Sequence, residues 1–144
     1  MDGGNNVEET RYGMRVVLPI SYEEAIDKAT EALKAEGFGV LTTIDVKQTI
    51  KQKLDKDFRK YVILGACNPS IAYKALSAET DIGLLLPCNL IVYETEPGHS
   101  VVAAVAPLVT MGRVGNEALA PIGQQVDAKL RRVLTTLEAA KAGV

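Results

Sequence analysis

The sequence predicts a single α+β domain in which five β-strands form a sheet against a long C-terminal helix, with short helices inserted between the strands. Two observations support this fold class. Strand-length apolar segments alternate with amphipathic helical segments along the chain, and the last helical stripe extends over residues 122–137. The chain has 144 residues, the size of one ordinary domain, and its hydrophobic fraction of 47% is enough for a core. We therefore expect residues 11–144 to form a single domain.

The N-terminal part of the chain predicts a tail, a strand and a helix. Residues 1–10 read MDGGNNVEET; they are polar, acidic and rich in Gly and Asn, and so predict a disordered tail outside the fold. Alternating apolar residues predict the first strand over residues 12–18. Ser21 and Glu24 have the spacing of a capping box, and Gly37 ends the apolar helical stripe that follows them.

Four more elements follow in the middle of the chain. Residues 38–44 alternate and predict a half-buried strand. Its core-facing side would consist of Phe38, Val40, Thr42 and Ile44. Asp45 caps a predicted short helix, and residues 61–66 read YVILGA, an apolar run that predicts a central strand covered on both faces. Asn68 and Pro69 then have the residue types preferred at the start of a helix.

The C-terminal half predicts a hairpin and the long helix. Apolar segments over residues 90–95 and 100–106 predict two strands, and the Pro97-Gly98 turn between them makes them a hairpin. The apolar stripe of the last helix consists of Ile122, Val126, Leu130, Val133, Leu134 and Leu137. The predicted element order is therefore β-α-β-(α)-β-(α)-β-β-α.

Composition and charge argue against several classes of protein. The net charge is −2, whereas nucleic-acid-binding domains are usually basic, so we expect no nucleic-acid partner. No stretch approaches the roughly 18 consecutive apolar residues of a membrane span, and residues 1–10 lack the features of a secretory leader. We therefore expect a cytoplasmic protein without a membrane partner. In that compartment Cys67 and Cys88 are expected to be thiols.

Four segments carry a resemblance to a known family. They are Phe38–Lys47 (FGVLTTIDVK), Leu64–Pro69 (LGACNP), Leu85–Glu94 (LLPCNLIVYE) and the turn Val114–Asn116. On these segments the chain resembles the domain-of-unknown-function 302 family over residues 12–140. The resemblance implies a TBP-like β-α-β₄-α fold with a mainly antiparallel five-stranded sheet, and it implies a homodimer. It implies no assigned activity, because a shared fold does not carry a function.

The resemblance is incomplete at one position, after the last predicted strand. The family pattern has Val-Asp-Pro there, whereas this chain has Val105-Ala106-Pro107. If the acidic residue belongs to a ligand site in the family, that site is incomplete in this chain.

Two Cys-Asn pairs form the main candidate site. Cys67-Asn68 follows the third predicted strand, and Cys88-Asn89 begins the fourth. In the antiparallel arrangement that the family fold implies, both pairs lie at the same end of the sheet, whereas a parallel crossover would separate them by roughly 15–20 Å. The dipole of the helix after Cys67 is expected to lower the pKa of that thiol. Two such thiols would form a redox disulfide or supply two ligands to a soft metal.

Residues next to the Cys-Asn pairs are further candidates for the site. For every candidate, a purely structural role remains the alternative to a functional one. Tyr93 and Glu94 follow the second pair, and strand alternation would point one of them inward and the other outward. A closed zinc site needs four ligands, and His99 lies in the far turn, so a metal would have only Cys67 and Cys88. Buried cysteines also serve as small core residues, and asparagines as helix caps and turn residues. The sequence requires no cofactor.

Three functions are compatible with these residues. We rank first a dimeric binding protein with a small-ligand or metal pocket at the Cys-Asn pairs. The second is a structural or interaction protein whose cysteines are buried, and whose basic stretch from Lys47 to Lys60 is either a solvated helix face or a docking patch. The third is a thiol-redox enzyme that uses Cys67 and Cys88, ranked lower because the chain has no CxxC motif. The sequence therefore leans away from an enzyme.

Overall fold

The computed structural model describes residues 6–141, and its architecture is a six-stranded antiparallel sheet with two long helices against one face. The strands are β1 (Glu8–Glu9), β2 (Gly13–Leu18), β3 (Gly39–Asp45), β4 (Tyr61–Cys67), β5 (Cys88–Glu96) and β6 (His99–Val105). The helices are α1 (Tyr22–Ala35), α2 (Val46–Leu54), α3 (Pro69–Ala78), α4 (Pro107–Thr110) and α5 (Ala120–Lys141). The strand order is β1-β2-β6-β5-β4-β3, which makes β1 and β3 the edges. The predicted α+β class is confirmed.

The core lies between the sheet and the helices α1 and α5, which contact each other as well as the strands. Alternate residues of β2 point into this core, and Met14, Val16 and Leu18 are all buried. The predicted stripe of α5 is confirmed, since all six of its residues are buried: Ile122, Val126, Leu130, Val133, Leu134 and Leu137. Their burial removes apolar surface from water and stabilises the contact between α5 and the sheet. Within residues 6–141, no helix has the length and apolarity needed to cross a membrane.

The local signals at the ends of the elements are confirmed. The backbone N–H of Glu24 donates to the Ser21 hydroxyl at 3.1 Å at the start of α1. Gly37 follows α1 with a φ of 86°, in the left-handed region that favours glycine. The side chain of Asn68 accepts a hydrogen bond from the N–H of Ile71 at the start of α3. The strands β5 and β6 form the predicted hairpin.

The N-terminal segment differs from the predicted tail, because part of it joins the sheet. Glu8 and Glu9 form β1, which pairs with the start of β2, whereas residues 1–5 lie outside the described residues. Glu8 pairs with Arg15 at 2.8 Å, and Glu9 pairs with Arg131 of α5 at 2.7 Å, so β1 is connected to both neighbouring elements. The predicted count of five strands is therefore wrong. A polar strand of two residues has too little alternation to be recognised in a sequence.

The strand β3 is exposed along nearly all of its length, so the prediction of a half-buried strand is wrong. Its pairing with β4 shifts between Val40 and Thr42, where Leu41 is an extra residue. Val40 pairs with Ala66 on the helix-covered face, whereas Thr42 pairs with Gly65 on the opposite face. The bulge thus splits the predicted core-facing set between the two faces.

The sheet face opposite α1 and α5 is called the open face here. It includes Tyr61, Ile63, Asn89, Ile91, Tyr93, Ala103 and Val105, which the strand register places side by side, and none of them is buried. β4 is an interior strand, but it lies next to the edge strand β3 and is not the central strand that the sequence predicts. Its predicted coverage on both faces is not observed either. The apolar run of β4 therefore leaves apolar side chains partly exposed on the open face.

Candidate functional site

The two cysteines lie at the same end of the sheet, as the antiparallel arrangement predicts. Ala66, immediately before Cys67, pairs with Cys88 across β4 and β5. Both cysteines and Asn68 line one cavity between the sheet, α3 and α5. Most other side chains around this cavity are apolar, among them Phe38, Ile71, Met111 and Val126.

This cavity is too small for a metabolite. Its volume is about 30 Å³, which is room for one or two water molecules, whereas pockets for drug-sized ligands measure roughly 300–1,000 Å³. The described residues that line it include two thiols but no His, Asp or Glu. Within residues 6–141, no three His, Cys, Asp or Glu side chains gather where they could hold a metal ion. The cavity therefore gives no support to a ligand or metal pocket at the Cys-Asn pairs.

The burial of Cys88 opposes a nucleophilic role for its thiol. Cys88 is 7% exposed, and this burial, together with the nearby Cys67, raises the pKa of the Cys88 thiol to about 11. The thiolate is the reactive form of cysteine, so at neutral pH Cys88 is almost entirely in its unreactive form. Cys67 is partly exposed and is the more accessible of the two thiols.

We expect iodoacetamide at neutral pH to modify Cys67 faster than Cys88 in the folded protein, because Cys88 is both buried and protonated. The variants Cys67→Ser and Cys88→Ser each leave one thiol, and intact mass spectrometry counts the adducts over time. Denaturant should bring the two rates together, which controls for the reagent. Rapid modification of Cys88 in the folded Cys67→Ser variant would contradict its burial. Failure to modify either thiol would exclude a thiol-redox enzyme.

The side chain of Asn68 is occupied by structural contacts. Its oxygen accepts hydrogen bonds from the N–H of Ile71 at 3.4 Å and from the Ser70 hydroxyl at 3.2 Å. Its amide nitrogen lies so close to Gly37 that a Cβ at that glycine would be 2.8 Å away. Asn68 therefore caps α3 and packs against the loop after α1, which accounts for its position without a ligand.

The position at which the family pattern has an acidic residue is apolar and buried in this chain. Leu90 pairs with Ala104 in the antiparallel pair β5–β6. Cys88, two residues before Leu90, therefore lies opposite Ala106, two residues after Ala104. Ala106 is buried, and its backbone N–H donates to the carbonyl of Tyr12 at 2.9 Å. Position 106 therefore brings no carboxylate to the cysteines.

The remaining three candidates lie elsewhere. Asn89 and Tyr93 project from β5 onto the open face, away from Cys88. Glu94 pairs with Ser100, whose side chain is fully buried, and so lies on the opposite face. Tyr93 and Glu94 thus point in opposite directions, as strand alternation predicts. The six candidate residues do not converge on one site.

A larger groove lies on the open face, with a volume of about 630 Å³. Small and apolar residues of β5 and β6, including Ile91, Ala103 and Val105, line its floor. Residues 10–13, which lead into β2, line it on one side, and Tyr61 of β4 lines it on the other. Its polar and aromatic lining residues are Thr10, Arg11, Tyr12, Tyr61, Asn89 and Tyr93. The groove therefore contains two of the six candidates, Asn89 and Tyr93.

Aromatic and guanidinium groups pack against one another on one side of the groove. The rings of Tyr61 and Tyr93 are stacked, with centroids 5.4 Å apart and an interplanar angle of 9°. The guanidinium carbon of Arg59 lies 5.7 Å from the centre of the Tyr93 ring, and Arg15 donates to the Tyr93 hydroxyl at 3.2 Å. Burial, followed by the nearby Tyr93 and Tyr12, raises the pKa of Tyr61, so its phenol stays protonated at neutral pH.

Sequence reasoning missed Arg11, Tyr12 and Tyr61 as residues of this groove. One signal was present in the run YVILGA, because a strand with apolar residues on both faces needs a partner on each face. Which residues of other strands lie beside that run depends on the register, and the register places Tyr61 opposite Tyr93.

Comparison with known proteins identifies the family. The family model described as "Domain of unknown function DUF302" matches residues 14–137. The crystal structure of an uncharacterized conserved DUF302 protein from Bacillus stearothermophilus is similar, with 32% sequence identity and a TM-score of 0.79. The match covers 87% of this chain and 97% of that chain. No curated protein matches this sequence. The chain therefore belongs to the DUF302 family.

Proposed function

We propose that this protein binds a small molecule in the groove on the open face, and that it does so as a homodimer. The volume of the groove carries the proposal, because it is about 630 Å³ whereas the cavity at the cysteines has about 30 Å³. Pockets for small molecules commonly measure roughly 300–1,000 Å³. We therefore place the ligand beside Asn89 and Tyr93 and not between Cys67 and Cys88.

The side chains around the groove suit binding better than catalysis. Phenols, one amide and one guanidinium lie around an apolar floor, which is the usual composition of a ligand pocket. As far as the structure describes the chain, the lining contains no Asp, Glu, His or Cys, which are common general acids, general bases and metal ligands. A binding protein is therefore the best-supported function.

The Cys-Asn pairs have a structural role in this proposal. Cys88 fills a core position, and Asn68 caps α3 and contacts the loop after α1. Both cysteines are free thiols, which suits the reducing compartment expected for a cytoplasmic protein. A redox role for Cys67 is the alternative that the alkylation experiment tests.

The homodimer is supported by apolar side chains that a single chain leaves exposed at the β3 edge. The helix α2 has no buried residue, although Val46, Ile50 and Leu54 form an apolar stripe along it. Leu54 is 63% exposed, and Leu41 of β3 is 66% exposed. Exposed apolar patches and unpaired strand edges are typical of association surfaces. A second copy of the chain that covers the β3 edge would bury both Leu41 and Leu54.

A TBP-like shape is a further part of this proposal. When β1 and the short helices are set aside, the order of elements is β2-α1-β3-β4-β5-β6-α5. That order agrees with the β-α-β₄-α arrangement expected for the family. The likeness would concern shape alone and would carry no function.

Native mass spectrometry of the purified protein tests the proposed function. We expect the mass of two chains with a small-molecule adduct, because the groove and the β3 edge are separate surfaces. The variant Ala103→Trp places a large side chain on the floor of the groove and should remove the adduct. The matched control Ala128→Trp changes an exposed position on α5 and should keep it.

Two results would contradict the proposal. An adduct that persists in Ala103→Trp, or that never accompanies the wild-type chain, would argue against the groove as a binding site. A single-chain mass under native conditions would argue against the homodimer. Circular dichroism of both tryptophan variants establishes that they are folded.

A further inference from the structure

The charge that lines the groove is positive. Among the described residues, Arg11 is the only charged one that lines the groove, and it is exposed. Within residues 6–141, Arg11 has no ion pair and no side-chain hydrogen bond. A cation at the rim that no described carboxylate neutralises attracts anions. The lining therefore favours a negatively charged ligand.

A second arginine, Arg59, adds to the positive potential of the groove from the side where the tyrosine pair lies. The Arg59 side chain donates to the backbone carbonyl of Glu94 at 3.4 Å and lies over the Tyr93 ring, and it makes no ion pair with a described carboxylate. Arg15, in contrast, is paired with Glu8 at 2.8 Å. Two of the three arginines near the groove therefore keep their charge unpaired.

The shape and the polarity of the floor point to a flat ligand body. Ile91, Ala103 and Val105 offer an apolar surface on the pleated sheet, and the tyrosine pair closes one side of it. Aromatic rings stack favourably on tyrosine as well as on apolar surface. A flat ring system therefore fits between the floor and this side better than a branched or globular molecule.

Asn89 supplies directional hydrogen bonding within the groove. It is exposed, and its side chain has no hydrogen-bond partner among residues 6–141. Its amide offers two N–H donors and one carbonyl acceptor. A ligand that carries a carbonyl, hydroxyl or ring nitrogen on its flat body would bind this amide.

We propose that the ligand of the groove is an organic anion with a flat, apolar body, and that Arg11 binds its anionic group. The inference rests on the proposed function, because it assigns a chemical class to the ligand of the same groove. It also assigns separate roles: the floor and the tyrosines bind the flat body, Asn89 orients it, and Arg11 selects the charge.

Two dyes of nearly the same shape test the inference. The probe is 8-anilinonaphthalene-1-sulfonate, a flat sulfonate, and its comparison is N-phenyl-1-naphthylamine, which lacks the sulfonate. Fluorescence titration of the full-length protein at low salt should show tighter binding of the sulfonate.

Arg11→Gln should weaken sulfonate binding by about two- to fivefold, the range of an exposed ion pair, and leave the neutral dye unchanged. The control Arg113→Gln removes an equal charge from an exposed position outside the groove and should change neither dye.

The outcomes separate this inference from the proposed function. Equal binding of the two dyes, with no effect of Arg11→Gln, would overturn the anion preference. In that case the groove itself still stands if Ala103→Trp abolishes both signals. Sulfonate binding that survives Ala103→Trp would place the dye elsewhere and overturn both proposals.

A second copy of the chain is the other possible occupant, and the same variants reveal it. If neither dye binds and Ala103→Trp converts a dimer to a monomer in size-exclusion chromatography, the groove is a subunit interface. The small-molecule site and its anion preference are then both wrong, whereas the homodimer stands. The exposed Asn89→Trp replaces Ala103→Trp if the latter does not fold.

Discussion

Replacing Leu130 with Ala should lower the free energy of unfolding by about 2–5 kcal/mol, the range for removing a fully buried leucine. Leu130 is 0% exposed in the middle of the α5 stripe, where the helix packs on the sheet and on α1. The substitution removes apolar contacts and leaves a cavity that neighbouring side chains fill only in part. Urea denaturation followed by circular dichroism measures the change.

The control for this prediction lies five residues farther along the same helix. Thr135 is exposed, so Thr135→Ala keeps the core intact and should change the unfolding free energy by less than about 0.5 kcal/mol. Similar losses in both variants would mean that the α5 stripe is not the core contact described above.

Replacing Gly65 with Ala should lower the free energy of unfolding by about 1–3 kcal/mol, because the added methyl group overpacks β4. A Cβ at Gly65 would collide with the side-chain oxygen of Thr42 and would lie 2.8 Å from a ring carbon of Pro87. Thr42 lies in β3 and Pro87 directly precedes Cys88 of β5, so relief requires a rotation of the Thr42 side chain and a displacement of the Pro87 ring. Thermal and urea denaturation measure the loss.

Gly39 is the matched control, because it is also a strand glycine but a Cβ there would meet nothing within 4 Å. Gly39→Ala should leave stability unchanged or raise it by a few tenths of a kcal/mol, since alanine restricts the unfolded chain. The double variant Gly65→Ala with Thr42→Ala should recover part of the loss. Equal stability of the two single variants would show that β4 has room at position 65.

Local signals account for the parts of the fold that the sequence predicts well. Ser21 and Asn68 mark helix starts because their side chains bond to backbone groups only two or three residues away. The stripe of α5 has the helical period, and that period is a property of one segment alone. Such features need no knowledge of the rest of the chain.

Long-range pairing accounts for the parts that the sequence does not predict. β1 is held by contacts of Glu8 with Arg15 and of Glu9 with Arg131, which lies 122 residues away in the chain. The bulge at Leu41 changes which residues of β3 face the helices, and it follows from the pairing with β4. Neither feature leaves a pattern within its own segment.

The same distinction between local signals and long-range pairing explains which features of the candidate site the sequence predicts and which it does not. The shared sheet end of Cys67 and Cys88 follows from strand order, so sequence reasoning finds it. The cavity volume follows from how completely α3 and α5 fill the space above the cysteines, which only three-dimensional packing determines. Asn89 and Cys88 are adjacent in the sequence and therefore face opposite sides of the sheet. Their shared motif consequently belongs to two different surfaces.

The tyrosine pair of the groove has a spectroscopic consequence. The chain contains five tyrosines and no tryptophan, so its ultraviolet emission comes from tyrosine alone. Three of the five, Tyr12, Tyr61 and Tyr93, line the groove. The intrinsic emission of the unlabelled protein is therefore weighted toward this one surface. We expect a ligand in the groove to change that emission, and the Ala103→Trp variant cannot serve in this measurement because it adds a tryptophan.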